Sequence, residues 1–129
     1  MDADAIVSAL DLAPHPEGGH YRQTYADEAG SAIYFLLREG ERSLWHRVLG
    51  RAEIWHFYAG DPLDLSVDVH GDERKVLTVR LGTDLQAGEE PQTVVPADAW
   101  QSARSTGAWS LVGCTVAPPF TFDAFEARP

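Results

Sequence analysis

Two residues of this chain have types and a spacing that could carry out chemistry: His46 and Glu53. They lie in the frame Gly40-x5-His46-x-Val48-x4-Glu53-x6-Gly60. An imidazole exchanges protons near neutral pH, and a neighbouring carboxylate can orient it and raise its basicity. The same two side chains are also ligands for divalent metals. The frame therefore indicates a site for acid–base catalysis or for metal binding.

The two residues are expected on neighbouring β-strands, Ser43–Val48 and Glu53–Tyr58. The connection between these strands is short, which predicts that they pair as a hairpin. Side chains alternate across a strand, so His46 and Glu53 can both point into one cavity. That arrangement adds four apolar side chains to the same wall: Leu44, Val48, Trp55 and Phe57. A mostly apolar pocket with two ionisable groups is typical of a small-molecule site.

The rest of the chain predicts an all-β sandwich or barrel with one short N-terminal helix. Apolar residues at helical spacing over Asp2–Leu12 indicate the helix, which Pro14 and Pro16 end. Short β-type runs separated by Gly, Asp and Pro then follow at near-regular spacing. Besides the two strands above, they are His20–Tyr25, Ala32–Arg38, Leu63–Val69, Lys75–Leu81, Gln92–Val95, Trp100–Arg104 and Trp109–Val116. The tail after Pro119 is expected to pack back on the barrel as a loop or turn, and residues 1–129 are read as a single domain.

Composition and charge limit the expected partners and the expected cellular location. The formal net charge of −10 disfavours nucleic acid and anionic membranes as partners. The single cysteine, Cys114, lies in an apolar run and is expected to be a small core residue. Neither a secretory signal nor an apolar run of about 20 residues is found, so we predict a cytoplasmic protein. His15, His20 and His70 adjoin glycine turns and are expected at the surface.

The frame around His46 and Glu53 resembles the first motif of the cupins, small jelly-roll β-barrels (double-stranded β-helices) in which two histidines and a glutamate bind a metal. Val48 stands where the second histidine is expected. The segment Pro96–Gln101 is similar in spacing to the second cupin motif. There Asp98 replaces a glycine and Gln101 replaces the last histidine.

Longer blocks resemble one family of small cupins whose members are labelled predicted sugar epimerases. They are His15-Pro16-Glu17-Gly18-Gly19, Tyr21-Arg22, Trp45-His46, Glu53–Asp61, Gln92–Pro96, Trp100-Gln101 and Leu111–Pro118. The resemblance implies a cupin jelly-roll β-barrel and a homodimer.

A metal site would have to use His46, Glu53 and Gln101, because Val48 offers no ligand. Neutral glutamine is a poor substitute for imidazole. We therefore expect no cofactor beyond weak binding of a divalent metal.

The alternative is metal-free acid–base catalysis by His46 as the base, with Glu53 orienting it. Tyr34 or Tyr58 would be the acid, although alternation turns Tyr58 away from His46. Gln101 would fix the polar end of a ligand, while Trp55 and Phe57 supply stacking area. An extended N-terminal strand would bring Arg22 near the pocket.

We interpret the protein as a small-molecule-binding cupin with metal-independent epimerase or isomerase chemistry on a carbohydrate-like substrate. Three alternatives remain open: a non-catalytic ligand-binding barrel, a divalent-metal-dependent cupin enzyme, and a buried His–Glu pair that serves packing alone.

Overall fold

The computed structural model describes residues 1–72 and 75–128. These residues form one α-helix, α1 (Ala3–Ala9), two 3₁₀ turns (Leu85–Ala87 and Phe122–Ala124) and eleven β-strands. The strands are β1 (Ala13–Pro14), β2 (His20–Ala26), β3 (Ser31–Arg38), β4 (His46–Val48), β5 (Ala52–Gly60), β6 (Leu63–Asp68), β7 (Val76–Leu81), β8 (Gln92–Val95), β9 (Trp100–Ser105), β10 (Trp109–Ala117) and β11 (Phe125–Ala127). The predicted all-β fold with a short N-terminal helix is confirmed.

The strands form two antiparallel sheets around a shared core. The large sheet has the order β1-β2-β3-β10-β5-β8, and the small sheet has the order β11-β4-β9-β6-β7. Inward side chains of both sheets meet in one buried cluster, which includes Phe35 and Trp55 from the large sheet and Leu65 and Ala103 from the small sheet. Each sheet hides one face against the other, which is how a jelly roll buries its apolar surface.

The predicted hairpin between the strands of His46 and Glu53 is wrong. Strand β4 belongs to the small sheet, where His46 is in register with Gln101 of β9. Strand β5 belongs to the large sheet, between β10 and β8. The connection crosses from one sheet to the other instead of turning back on itself. His46 and Glu53 therefore reach the interior from opposite walls of the barrel.

Helix α1 packs on the outer face of the large sheet. The Asp2 side chain accepts a hydrogen bond from the Ala5 N–H at 2.9 Å and caps the first turn. Ile6 and Leu12 bury against Leu36 of β3. The helix is shorter than expected, because the chain leaves helical geometry at Leu10 and Asp11 has a φ of 54°.

The C-terminal tail packs back on the barrel and adds a strand that the sequence pattern did not reveal. Strand β11 pairs with β4, so that Phe125 opposes Val48 and Ala127 opposes His46. The Phe125 ring stacks on the His46 ring with centroids 5.4 Å apart. The tail thus covers the strand that carries His46.

The turn at Gly18 fixes the segment before β2 against the segment before β4. Gly18 has a φ of 107°, and the Glu17 carbonyl accepts a hydrogen bond from the Leu44 N–H at 2.7 Å. A Cβ at position 18 would lie 2.5 Å from the Arg42 carbonyl oxygen. Only glycine combines this backbone angle with this close approach.

We expect Gly18→Ala to lower the free energy of unfolding by about 3 kcal/mol, because it adds a backbone clash to left-handed strain. Gly40→Ala is the matched control, since Gly40 has a φ of 80° but open space around it. The control should lose only about 1 kcal/mol. Urea denaturation measures both values. Equal losses would show that the close approach to Arg42 has no energetic consequence.

Candidate active site

A cavity of about 300 Å³ lies between the two sheets. Its polar lining includes His15, Glu17, His46, Glu53 and Cys114. Apolar and aromatic side chains complete the wall, among them Tyr21, Val48, Phe120 and Phe122. His46 and Glu53, predicted from sequence to share a pocket, do line the same cavity.

His46 is held at both ring nitrogens. Nδ1 lies 2.7 Å from the Leu44 carbonyl oxygen, and Nε2 lies 3.0 Å from Oε2 of Glu17. A carbonyl oxygen can only accept, so Nδ1 carries a proton. Burial lowers the pKa of His46 to about 4, so the imidazole is neutral at neutral pH and Nε2 is its lone-pair acceptor.

Glu17 supplies the proton that Nε2 of His46 accepts. The Glu17 side chain is buried, and burial together with the charge of Glu53 raises its pKa well above the usual value. A protonated carboxyl group donates one hydrogen bond, and Nε2 at 3.0 Å is positioned to receive it. Glu17 and His46 therefore share a single proton inside the cavity.

Glu53 lies on β5, and its carboxyl group is held by a hydrogen bond from the Gln101 amide, which is itself bonded to Trp55. The Gln101 amide donates from Nε2 to Oε1 of Glu53 at 2.8 Å, and the Gln101 carbonyl oxygen accepts from the Trp55 indole N–H at 2.8 Å. The indole can only donate, so it fixes the orientation of the amide. The Cys114 thiol also bonds to Glu53.

The pKa of Glu53 is raised to about 7, mainly by burial, while the hydrogen bonds from Gln101 and Cys114 lower it in part. Glu53 therefore changes its charge close to neutral pH. A carboxyl group tuned in this way can take up or release a proton under physiological conditions.

Trp55 and Phe57 were expected to stack on a ligand, but they do not line the cavity. Trp55 is only 1% exposed, with its ring edge against Phe35 at 6.0 Å between centroids, so it has no free face. Phe57 packs against the same core cluster. Leu44, expected in the wall, is 51% exposed. Gln101 is buried behind Glu53 rather than at the cavity surface.

Arg22 and Tyr34 were expected near the ligand, and the structure places both outside the cavity. Tyr21 of β2 and Ile33 of β3 line the cavity, and side chains alternate along a strand, so their neighbours point to the opposite face. There the Arg22 guanidinium lies 5.5 Å from the Tyr34 ring centroid. Arg22 and Tyr34 therefore point away from the cavity, contrary to the expectation from sequence.

Glu17 and His15 are site residues that the residue patterns alone did not identify. His15 was expected at the surface, but its pKa is lowered to about 4 by burial and by His46. Its Nδ1 accepts a hydrogen bond from the Glu17 N–H at 3.0 Å. Cys114, expected as a core residue, is buried but also lines the cavity. The available signal was the His15–Gly19 block of the family resemblance.

The donor set does not fit a divalent metal. Val48 stands in the wall in place of an imidazole, and Gln101 uses its amide on Trp55 and Glu53. Nε2 of His46 is engaged by Glu17. Among residues 1–72 and 75–128, no group of three or more His, Cys, Asp or Glu side chains could hold a metal ion.

Two antiparallel sheets around a ligand-sized cavity define a jelly-roll barrel of the cupin class. A family model described as the cupin superfamily (DUF985) matches residues 4–128, and the chain belongs to this family. No curated protein matches the chain.

Solved structures agree with this fold. A protein from Shewanella oneidensis is 40% identical, with a TM-score of 0.91 over 99% of this chain and 85% of that chain. A hypothetical protein from Leishmania major is 29% identical, with a TM-score of 0.87 over 98% of this chain and 86% of that chain. A dTDP sugar isomerase from Desulfovibrio desulfuricans G20 is 14% identical, with a TM-score of 0.66 over 92% of this chain and 87% of that chain, and shows likeness of fold alone.

Across the described part of the chain, no helix has the length and apolar character needed to cross a membrane. The cytoplasmic location and the homodimer remain predictions.

We expect the purified protein to contain well below one equivalent of Fe, Mn, Zn or Ni, because the two lost imidazoles leave no adequate donor set. Inductively coupled plasma mass spectrometry measures the content. Val48→His, which returns one imidazole to the wall, should raise zinc retention after dialysis. Near-stoichiometric metal in the wild-type protein would contradict the expectation.

The two histidines and two glutamates that line the cavity predict a pH dependence of stability. The pKa values of His15 and His46 fall from 6.5 to about 4 on folding, which adds stability above pH 6.5 that is lost as the pH falls toward 4. The raised pKa values of Glu17 and Glu53 act oppositely, adding stability at low pH that is lost as the pH rises. Between about pH 4.5 and 6.5, the unfolded chain carries two protons on the histidines, and the native protein carries two on the glutamates. The two contributions to the pH dependence of stability therefore cancel in this range.

Glu53→Gln should break this balance, because the native variant then holds one proton fewer than the unfolded chain between about pH 4.5 and 6.5. Its free energy of unfolding should rise with pH more steeply than that of the wild type, by an additional slope approaching about 1.4 kcal/mol per pH unit. Urea denaturation at several pH values measures the slopes. The exposed Glu39→Gln serves as control, and parallel profiles for Glu53→Gln and wild type would contradict the proton count.

Proposed function

We propose that the cavity binds a small carbohydrate-like carbonyl compound and catalyses its epimerisation or isomerisation by proton transfer without a metal. The observation that carries this proposal is the pair of buried carboxyl groups, Glu17 and Glu53, that line one cavity with different hydrogen-bond partners. Glu53 titrates near pH 7, and Glu17 holds a proton that it shares with His46. Two carboxyl groups held by different partners, Glu17 by His46 and Glu53 by Gln101, suit the roles of acid and base.

Glu53 acts as the base in this proposal. It removes the proton from the carbon next to the carbonyl group, and the electron pair moves onto the carbonyl oxygen to give an enolate. The Glu17–His46 pair then returns its proton to the substrate. Glu53 ends protonated and the pair ends one proton poorer, so exchange with solvent or the reverse reaction restores both.

These roles differ from the sequence-based interpretation, in which His46 was the base and Glu53 its orienting partner. Nε2 of His46 faces Glu17 at 3.0 Å, and Nδ1 faces the Leu44 carbonyl. Glu53 is bonded instead to Gln101. His46 therefore supports the acid, and Glu53 is the group with a pKa matched to neutral pH.

The size of the cavity supports a small substrate. Its volume of about 300 Å³ is at the low end of the range for ligand sites, roughly 300–1,000 Å³. The fold likeness to a sugar isomerase agrees with the reaction class, although the proposal stands on the side chains.

A ligand-binding barrel without turnover is the second candidate. The hydrogen bonds that hold Glu53 and His46 would equally fix the polar end of a ligand. The two functions differ in one measurable property, because only proton transfer exchanges a carbon-bound hydrogen with solvent.

We expect the protein to incorporate deuterium from D₂O at the carbon next to the carbonyl group of at least one free five- or six-carbon aldose or ketose, measured by proton NMR. The rate should rise with pH and level off above about 7, because Glu53 must be ionised to act as base. Glu53→Gln should lower the rate at least about 100-fold.

Glu39→Gln, which removes an exposed carboxylate, should keep the wild-type rate. If no sugar in the panel exchanges a proton, or if Glu53→Gln exchanges as fast as the wild type, the catalytic proposal fails. Binding that persists in His46→Ala without any exchange would favour the barrel that binds but does not turn over its ligand.

A further inference from the structure

We infer that the cavity selects its ligand by charge and takes a small molecule that carries a protonated amine in preference to its neutral or anionic counterparts. This inference concerns the class of ligand that the same cavity binds, an amine-bearing, sugar-sized compound. It rests on that cavity as a ligand site and is independent of turnover.

The first argument is the unbalanced charge of the wall. Glu17 and Glu53 are 6% and 8% exposed and both line the cavity. No Lys or Arg is among the described residues that line it. Glu17 shares a proton with His46 and is neutral, whereas the carboxyl group of Glu53 accepts its hydrogen bond from the neutral amide of Gln101. A buried carboxylate is ordinarily paired with a cation, because an unpaired buried charge is costly. A ligand ammonium would supply the missing positive charge and three hydrogen-bond donors.

The arginines nearest in sequence to His46 and Glu53 are already engaged elsewhere. Arg47 donates to Glu126 at 2.7–2.8 Å. Arg51 donates to the carbonyl oxygens of Pro119 and Leu49, each at 2.8 Å. Neither guanidinium belongs to the cavity wall, so neither balances the charge of an ionised Glu53 there.

The second argument is the aromatic part of the wall. Tyr21, Phe120 and Phe122 line the same cavity as the two carboxyl groups. The rings of Phe120 and Phe122 are nearly perpendicular, with centroids 5.0 Å apart. Aromatic faces attract cations, and carboxylates combined with aromatic rings are a setting that recognises ammonium groups.

The same features oppose anionic ligands. A phosphate or carboxylate would bring a second negative charge beside an ionised Glu53, with no Lys or Arg among the described residues of the wall to receive it. The net charge of −10 adds long-range repulsion. The cavity therefore lacks the means to bind a sugar diphosphate group.

The test compares three probes of one shape at pH 7.5: cyclohexylmethylamine, cyclohexylmethanol and cyclohexanecarboxylate. Dissociation constants are measured on the full chain by NMR titration of the resonances of cavity residues. We expect the amine to bind about tenfold more tightly than the alcohol, because charge-assisted hydrogen bonds are about twice as strong as neutral ones. The carboxylate should bind most weakly.

Glu53→Gln should remove most of the preference for the amine over the alcohol, and Glu39→Gln should retain it. Phe122 is 59% exposed, so we expect Phe122→Ala to fold, and it provides a second variant. It should weaken binding of the amine about threefold relative to the alcohol.

The inference is wrong if none of the three probes shifts the cavity resonances, if the carboxylate binds as tightly as the amine, or if the preference survives in both Glu53→Gln and Phe122→Ala. Its failure is distinguishable from failure of the proposed function. Deuterium exchange on an uncharged sugar with no preference for the amine would keep the catalysis and reject the charge selectivity. A preference for the amine without deuterium exchange on any sugar would keep the charge selectivity and reject the catalysis.

Discussion

The contact between Glu17 and His46 is the interaction on which the site depends. It joins the turn before β2 to strand β4, and both partners are buried. At 3.0 Å, two groups that both lacked the intervening proton would repel through their lone pairs, so the contact requires one proton between them. Burial favours the neutral form of each partner, and neutral Glu17 beside neutral His46 satisfies that demand. The cavity thereby stores a transferable proton in the resting protein.

The contact between Glu17 and His46 depends on the backbone around Gly18 and Leu44. Gly18 lets the turn approach Arg42 closely, and the Leu44 N–H then bonds to the carbonyl of Glu17. The Leu44 carbonyl in turn holds Nδ1 of His46. One short segment before β4 therefore positions both partners, which explains why the site combines residues from distant parts of the chain.

The sequence was informative where local patterning decides the structure. Glycine, proline and aspartate separate apolar runs, and every predicted strand corresponds to an observed one, although Ser43–Val48 shortens to β4. Strand pairing was harder to predict, because the short connection between two strands can form a hairpin or cross to the opposite sheet. The strands that pair with β4 in the small sheet, β9 and β11, both lie far away in the chain, and β11 is only three residues long. Glu17 was missed for the same reason, since its partner His46 is 29 positions away and nothing local marks the turn as buried.

Alternation explains which site residues were placed correctly and which were not. The alternation of side chains predicted that His46 and Glu53 point inward, and both line the cavity although their strands belong to different sheets. It also turns Arg22 and Tyr34 outward once Tyr21 and Ile33 are seen to line the cavity. That conclusion required the register of β2 on β3, which pairs Arg22 with Tyr34.

At the position where the cupin motif expects its last histidine, this chain has an amide that is hydrogen-bonded at both ends. Gln101 lies in register with His46, close to where a ligand would be needed. Its amide instead links the Trp55 indole to Glu53, so that the donor end points at the carboxyl group and the acceptor end is occupied. Burial raises the pKa of Glu53 to about 7, because the wall that the structure describes has no Lys or Arg to offset the cost of burying the charged form. With Val48 and Gln101 in the positions of the imidazoles, Glu53 is held by a hydrogen bond from a neutral amide.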